Sequence, residues 1–97
     1  ISVKSRNKFL KGVKDWLKEN RELKIWHQMM MLSKKLKGFY NYFGIIDSEK
    51  TMWKIRYHVK WIWYKSLKRR SQRSNLIWRE FVVKPWVAAL PDYVNVK

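Results

Sequence analysis

Residues 48–70 read "SEKTMWKIRYHVKWIWYKSLKRR". Wound at about 100° per residue, this stretch divides into three sectors around a helix axis. Met52, Ile55, Val59, Ile62, Trp63 and Leu67 make an aliphatic-rich face. Trp53, Tyr57, Trp61 and Tyr64 make an adjoining aromatic one, and Lys54, His58, Lys65 and Arg69 fill much of the remainder. A helix with two apolar sectors needs two packing partners, so this segment is expected to lie at the centre of a helical core.

The flanking sequence supplies those partners. From about Lys4 to Asn20, Phe9, Val13, Trp16 and Leu17 form the stripe of an amphipathic helix, which Gly12 weakens by about 1 kcal/mol relative to alanine. From about Leu23 to Phe43, Ile25, Met29, Leu32, Leu36, Phe39, Tyr40 and Phe43 gather on one face, with His27, Lys34, Lys37, Gly38 and Asn41 opposite. The break "GIIDS" follows, with Asp47 or Ser48 placed to cap the central helix. Downstream, a short helix is expected from about Leu76 to Val83, bringing Ile77 and Phe81 to one side, with Pro85 closing it. The tail "LPDYVNVK" reads as extended.

Three glycines and two prolines are too few turn formers for a β-sandwich. The expectation is an all-α fold: three long helices in a bundle, a short fourth helix and an extended C-terminal tail. Phe9, Trp16, Leu36, Phe39, Val59 and Ile62 are the expected core of a single domain over residues 1–97. The first residue is Ile1, which suggests a piece of a longer protein.

Charge is the most informative bulk property. The chain carries 23 Lys and Arg against 7 Asp and Glu, a net +16. Ten of the basic residues and none of the acids fall within residues 50–79. Concentrating like charge raises the self-energy of a compact body and implies a polyanionic partner. The absence of cysteine excludes disulfides and thiol nucleophiles and fits a cytoplasmic protein. No run reaches the roughly 18 apolar residues of a membrane span.

Catalytic signals are lacking. His27 and His58 stand 31 positions apart, with no acid or nucleophile at a motif spacing, and read as exposed helix residues. There is no glycine-rich phosphate loop and no carboxylate cluster suited to a divalent metal. Met29 in the run 29–31 reads as core filling, as do Trp16, Trp63 and Trp78; Trp61 borders the basic sector, where an exposed indole can stack on a base. Gly38, on a polar helix face, marks either a helix end or kink or a place where another helix or a sugar–phosphate chain approaches the backbone. The stretch "KSLKRRSQRS" at 65–74 exceeds what a helix dipole would attract, and a second cluster stands at Lys34, Lys35 and Lys37.

Two longer stretches, "LSKKLKGFYNYFGI" at 32–45 and "LKRRSQRSNLIWREF" at 67–81, resemble the thumb, or maturase-specific, region of group II intron reverse transcriptases. In that family a Leu-Asn-x-x-Leu-Arg-Gly helix runs into an aromatic pair and glycine, and Arg-Arg-Ser-Gln-Arg precedes a Trp-x-x-Phe helix. Leu32, Leu36, Gly38, Tyr42 and Gly44 match the first, and Arg69 to Arg73, Trp78 and Phe81 the second. "VKDWLKENR" at 13–21 is similar, more loosely, to the preceding thumb helix. Ser33 replaces the family's usual Asn, residues 46–48 lack its Gly-Asn, and Leu90-Pro91 is not followed by Pro-Arg.

The resemblance implies a helical domain that binds folded intron RNA to promote splicing and helps grip a template–primer duplex beside upstream palm and fingers domains. It implies no catalysis by this chain, since the palm aspartates of a Tyr-x-Asp-Asp sequence are absent. No cofactor is expected in the domain, whereas the parent polymerase would need a divalent metal such as Mg. Lys34, Lys35, Lys37, Lys54, Lys65, Lys68, Arg69, Arg70 and Arg73 are the expected phosphate contacts. Gly38 offers close approach, and Asn41, Trp61 and Gln72 are candidates to read bases or 2′-hydroxyls. A monomer without membrane contact is expected. Two alternatives are a general double-stranded nucleic-acid-binding module and a basic membrane-surface protein, the latter requiring an exposed aromatic sector on the central helix.

Overall fold

The computed structural model describes residues 3–43, 49–70 and 76–91, with the side chains of Val3, Glu49 and Arg70 excepted. Five helices follow one another: α1 (Val3–Glu19), α2 (Ile25–Phe43), α3 (Glu49–Arg70), α4 (Trp78–Val82) and α5 (Pro85–Ala88). The three long helices begin and end within two residues of expectation, and no strand occurs among the described residues.

The periodic stripes become the core. Val13 and Leu17 from α1, Leu32, Leu36 and Phe39 from α2, and Met52, Ile55, Val59, Trp63 and Leu67 from α3 are all buried. Of the expected core, Leu36, Phe39 and Val59 lie inside, whereas Phe9, Trp16 and Ile62 are only partly buried and pack around its rim. The midline of the α1 stripe runs through Val13 and Leu17, which leaves the larger Phe9 and Trp16 at its borders.

Gln28 is the one buried polar side chain among the described residues, with 1% of its surface exposed. It lies within the apolar stripe of α2, between Ile25 and Leu32. The Trp63 indole Nε1 donates to its Oε1 at 3.1 Å, and its Nε2 donates to the Asn20 carbonyl at 3.0 Å. Asn20 in turn closes α1, donating from its backbone N at 3.0 Å and its side-chain Nδ2 at 2.8 Å to the Trp16 carbonyl. One amide thus joins α3, α2 and the turn after α1.

The C-terminal part departs from expectation in three respects. Helix α4 begins at Trp78, because Ile77 is the extended N-cap residue (φ −99°, ψ 158°). Ile77 is therefore exposed, and Trp78 and Phe81 form the inward pair. Pro85 opens a further helix, α5, at its first turn, where a missing N–H costs nothing. Finally, the aromatic sector of α3 is covered at one end only, since α4 has five residues: Tyr64 is buried, while Trp53 and Tyr57 are 43% and 54% exposed.

Ring contacts hold this part to α3. Phe81 lies 5.8 Å from Trp63, 5.3 Å from Tyr64 and 5.6 Å from Trp86 between ring centroids. Edge and tilted pairs of this kind contribute about 0.5–1.5 kcal/mol each beyond area burial. Three side-chain donors then grip the main chain. Tyr64 donates to the Leu76 carbonyl (3.0 Å), Tyr40 to that of Pro91 (3.0 Å) and Arg56 Nη2 to that of Leu90 (3.3 Å). The tail beyond Pro91 lies outside the described residues.

Replacing Gln28 with leucine strands the Trp63 N–H in an apolar site, so Gln28→Leu is expected to destabilise the fold by about 1–3 kcal/mol. In a double-mutant cycle by urea denaturation, Gln28→Leu with Trp63→Phe should cost less than the sum of the single changes, because the orphaned donor goes too. Strict additivity would show that the pair carries no coupling.

Candidate nucleic-acid interface

Basic side chains converge where α1 packs along α3. Lys14 and Lys18 stand one turn apart on α1, as Trp61, Lys65 and Arg69 do on α3, so each set projects from one side of its helix. Together with Arg21 from the turn after α1, and with Leu17, Ile62 and Ser66, they line a cleft of about 180 Å³. Five of the nine lining residues are cations and none is an acid.

One of the lining residues, Trp61, is aromatic. Trp61 is 37% exposed and is held edgewise by Trp78 at 5.0 Å, which leaves part of its indole open to solvent. Lys65 Nζ stands 5.3 Å from the centroid of that ring. The Nε of Arg21 is buried and has no hydrogen-bond partner among the described residues. Like charges one turn apart repel, and a buried donor without an acceptor is costly. An anion in the cleft relieves the repulsion.

Of the expected contacts, Trp61, Lys65 and Arg69 line this cleft. Lys68 lies outside it, its Nζ 5.5 Å from the Tyr64 ring. Lys34, Lys37 and Asn41 are exposed on α2 and Lys54 on α3, and none of the four lines the cleft. Lys35 is half-buried, with Nζ 5.8 Å over Trp16, and lines a different groove together with Gly38. Helix α2 continues past Gly38 to Phe43, so that glycine marks no helix end. Arg70 closes α3 with its side chain outside the described set, and Gln72 and Arg73 also lie outside the described residues.

The α1 half of the cleft is not legible in the sequence. Lys14, Lys18 and Arg21 stand in no basic run or motif that singles them out, and only the pairing of α1 with α3 gives them a role. Among the described residues, no helix is long and apolar enough to cross a membrane.

The fold and surface together define a small, basic, all-helical domain. The chain belongs to the family described as the group II intron, maturase-specific domain, which matches residues 6–86. The match confirms the resemblance carried by the motifs at 32–45 and 67–81. No curated protein and no solved structure matched the chain.

Self-repulsion across the cleft makes stability depend on salt. Raising ionic strength from about 0.01 to 0.15 M shortens the Debye length from about 30 to 8 Å and should raise Tm in thermal denaturation. The rise should shrink in a Lys14→Gln/Lys18→Gln variant. An unchanged salt response would place the repulsion elsewhere.

Proposed function

We propose that this domain binds folded group II intron RNA through the α1–α3 cleft and thereby supports splicing. The convergence of Lys14, Lys18, Arg21, Lys65 and Arg69 around an exposed indole, with no acid among the lining residues, is the observation that carries this reading. The cations neutralise phosphates and release counterions. Trp61 offers a stacking face to an unpaired base, the class of contact by which proteins distinguish folded RNA from a uniform duplex. Lys68 adds a cation near the end of α3, Arg70, Gln72 and Arg73 are retained from the sequence as further RNA contacts, and Lys34, Lys37, Asn41 and Lys54 supply peripheral phosphate or 2′-hydroxyl contacts.

In this reading the chain is the thumb part of a longer reverse transcriptase, helping palm and fingers domains hold a template–primer duplex. Catalysis and its divalent metal belong to those upstream domains, and this domain acts as a cofactor-free monomer. A membrane-surface role has one observation in its favour, the exposure of Trp53 and Tyr57. Membership in a maturase-specific family favours RNA instead.

The deciding experiment is binding to a folded group II intron RNA in the presence of excess unstructured RNA, duplex DNA or anionic vesicles. Intron binding should survive all three competitors. Equal competition by duplex DNA would reduce the surface to a general nucleic-acid grip, and loss to vesicles would favour the membrane role. Lys18→Ala with Arg69→Ala should weaken intron binding and lower the slope of log K against log salt by about 0.7–0.9 for each phosphate no longer neutralised. An unchanged slope would remove the cleft from the interface.

A further inference from the structure

Two glycines conflict with the helices that contain them. Gly12 in α1 and Gly38 in α2 are both exposed, and both occupy helix interiors, where only proline is less favourable than glycine. Neither adopts a positive φ. Nor does packing within the chain demand them, since beyond the adjoining residues and the local helix backbone no described atom lies within 4 Å of where a Cβ would stand at either position. Turn geometry and internal close approach, the usual reasons for glycine, therefore fail at both sites.

The two glycines nevertheless border the same groove. It runs between α1 and α2, is open to solvent, encloses about 760 Å³ and shares no lining residue with the α1–α3 cleft. Lys8 and Lys35 line it and no acid does. Its remaining surface is largely aromatic: Phe9 packs on Phe39 at 4.5 Å, Phe39 on Phe43 at 4.7 Å, and Tyr42, 74% exposed, stands edgewise to Phe43 at 4.6 Å. Missing side chains on both walls let an occupant approach the helix backbones closely.

We propose that this groove seats a single-stranded segment of RNA, its sugar–phosphate backbone lying against Gly12 and Gly38. Lys8 and Lys35 neutralise its phosphates, and the exposed ring of Tyr42 takes a base. A cationic groove with aromatic faces is the common form of a single-strand site, because bases stack only once they are unpaired. A partner helix would also fit between small residues, but an apolar helix gains nothing from two lysines and a chain of net charge +16. The proposal rests on the RNA-binding reading and adds a second, separate surface to it.

The test is to introduce Gly12→Ala and Gly38→Ala, singly and together, and to measure both Tm and affinity for an oligouridylate of about 12 nucleotides, a length within known single-strand site sizes. Each alanine should raise Tm by about 4–8 °C, because it improves the helix and meets nothing. Each should also weaken oligouridylate binding by about tenfold, the cost of forcing a methyl group into a close contact. Folded intron RNA, bound at the other cleft as well, should lose less.

A fall in Tm would mean that the glycines serve internal packing, and would overturn the proposal. Unchanged oligouridylate affinity in the variants would also overturn it and leave the groove to another occupant, such as a partner helix. Wild-type binding to intron RNA but not to oligouridylate would reject the groove alone, with the proposed function intact. Failure of the wild type to bind either RNA would remove both.

Discussion

The buried amide of Gln28 sets the geometry on which the rest of the domain depends. Apolar stripes bring helices together, but they tolerate rotation about each axis, whereas a hydrogen bond in a dry interior does not. By accepting from Trp63 and donating to the Asn20 carbonyl, Gln28 fixes how α2 and α3 face one another and where α1 turns back. With Trp63 held inward, Lys65 and Arg69 are directed toward α1. The orientation of the cationic surface is thus a consequence of one polar group placed among apolar ones.

Around that core the molecule separates its opposing demands. Apolar side chains from all five helices and Leu90 make one cluster, and no charged side chain among the described residues is buried with them. The ring cluster formed by α3, α4 and α5 stabilises the end of the bundle and also packs against Trp61. Repulsion among the cleft cations is tolerated because the core is held by apolar side chains, with Arg56 a cation that also donates to the main chain, at Leu90.

The long helices and their inward faces are legible in the sequence, because a period of 3.6 residues is written locally and strongly in each. The family is legible too, through motifs whose spacing survives substitutions such as Ser33. Gln28 is not, since a periodicity argument assigns a polar residue to water unless its partner is known, and Trp63 lies 35 positions away. Half of the cleft is hidden for the same reason: Lys14 and Lys18 acquire meaning only from a helix pairing. Pro85 reads as a stop and is a start, since its fixed φ suits either position and only the following turn decides. The exposure of Trp53 and Tyr57 reflects the shortness of α4, a length that no local pattern specifies.

The grips on the C-terminal segment have an evolutionary consequence. Tyr40 and Arg56 reach the carbonyl oxygens of Pro91 and Leu90, groups that every residue type possesses. Selection on that segment can therefore act on the path of the main chain while leaving most side-chain identities free to drift. The absence of the Pro-Arg that commonly follows Leu-Pro in the family is compatible with such freedom. Homologues should then be easier to recognise by a tyrosine and an arginine at the corresponding positions of α2 and α3 than by any likeness in the segment those side chains hold.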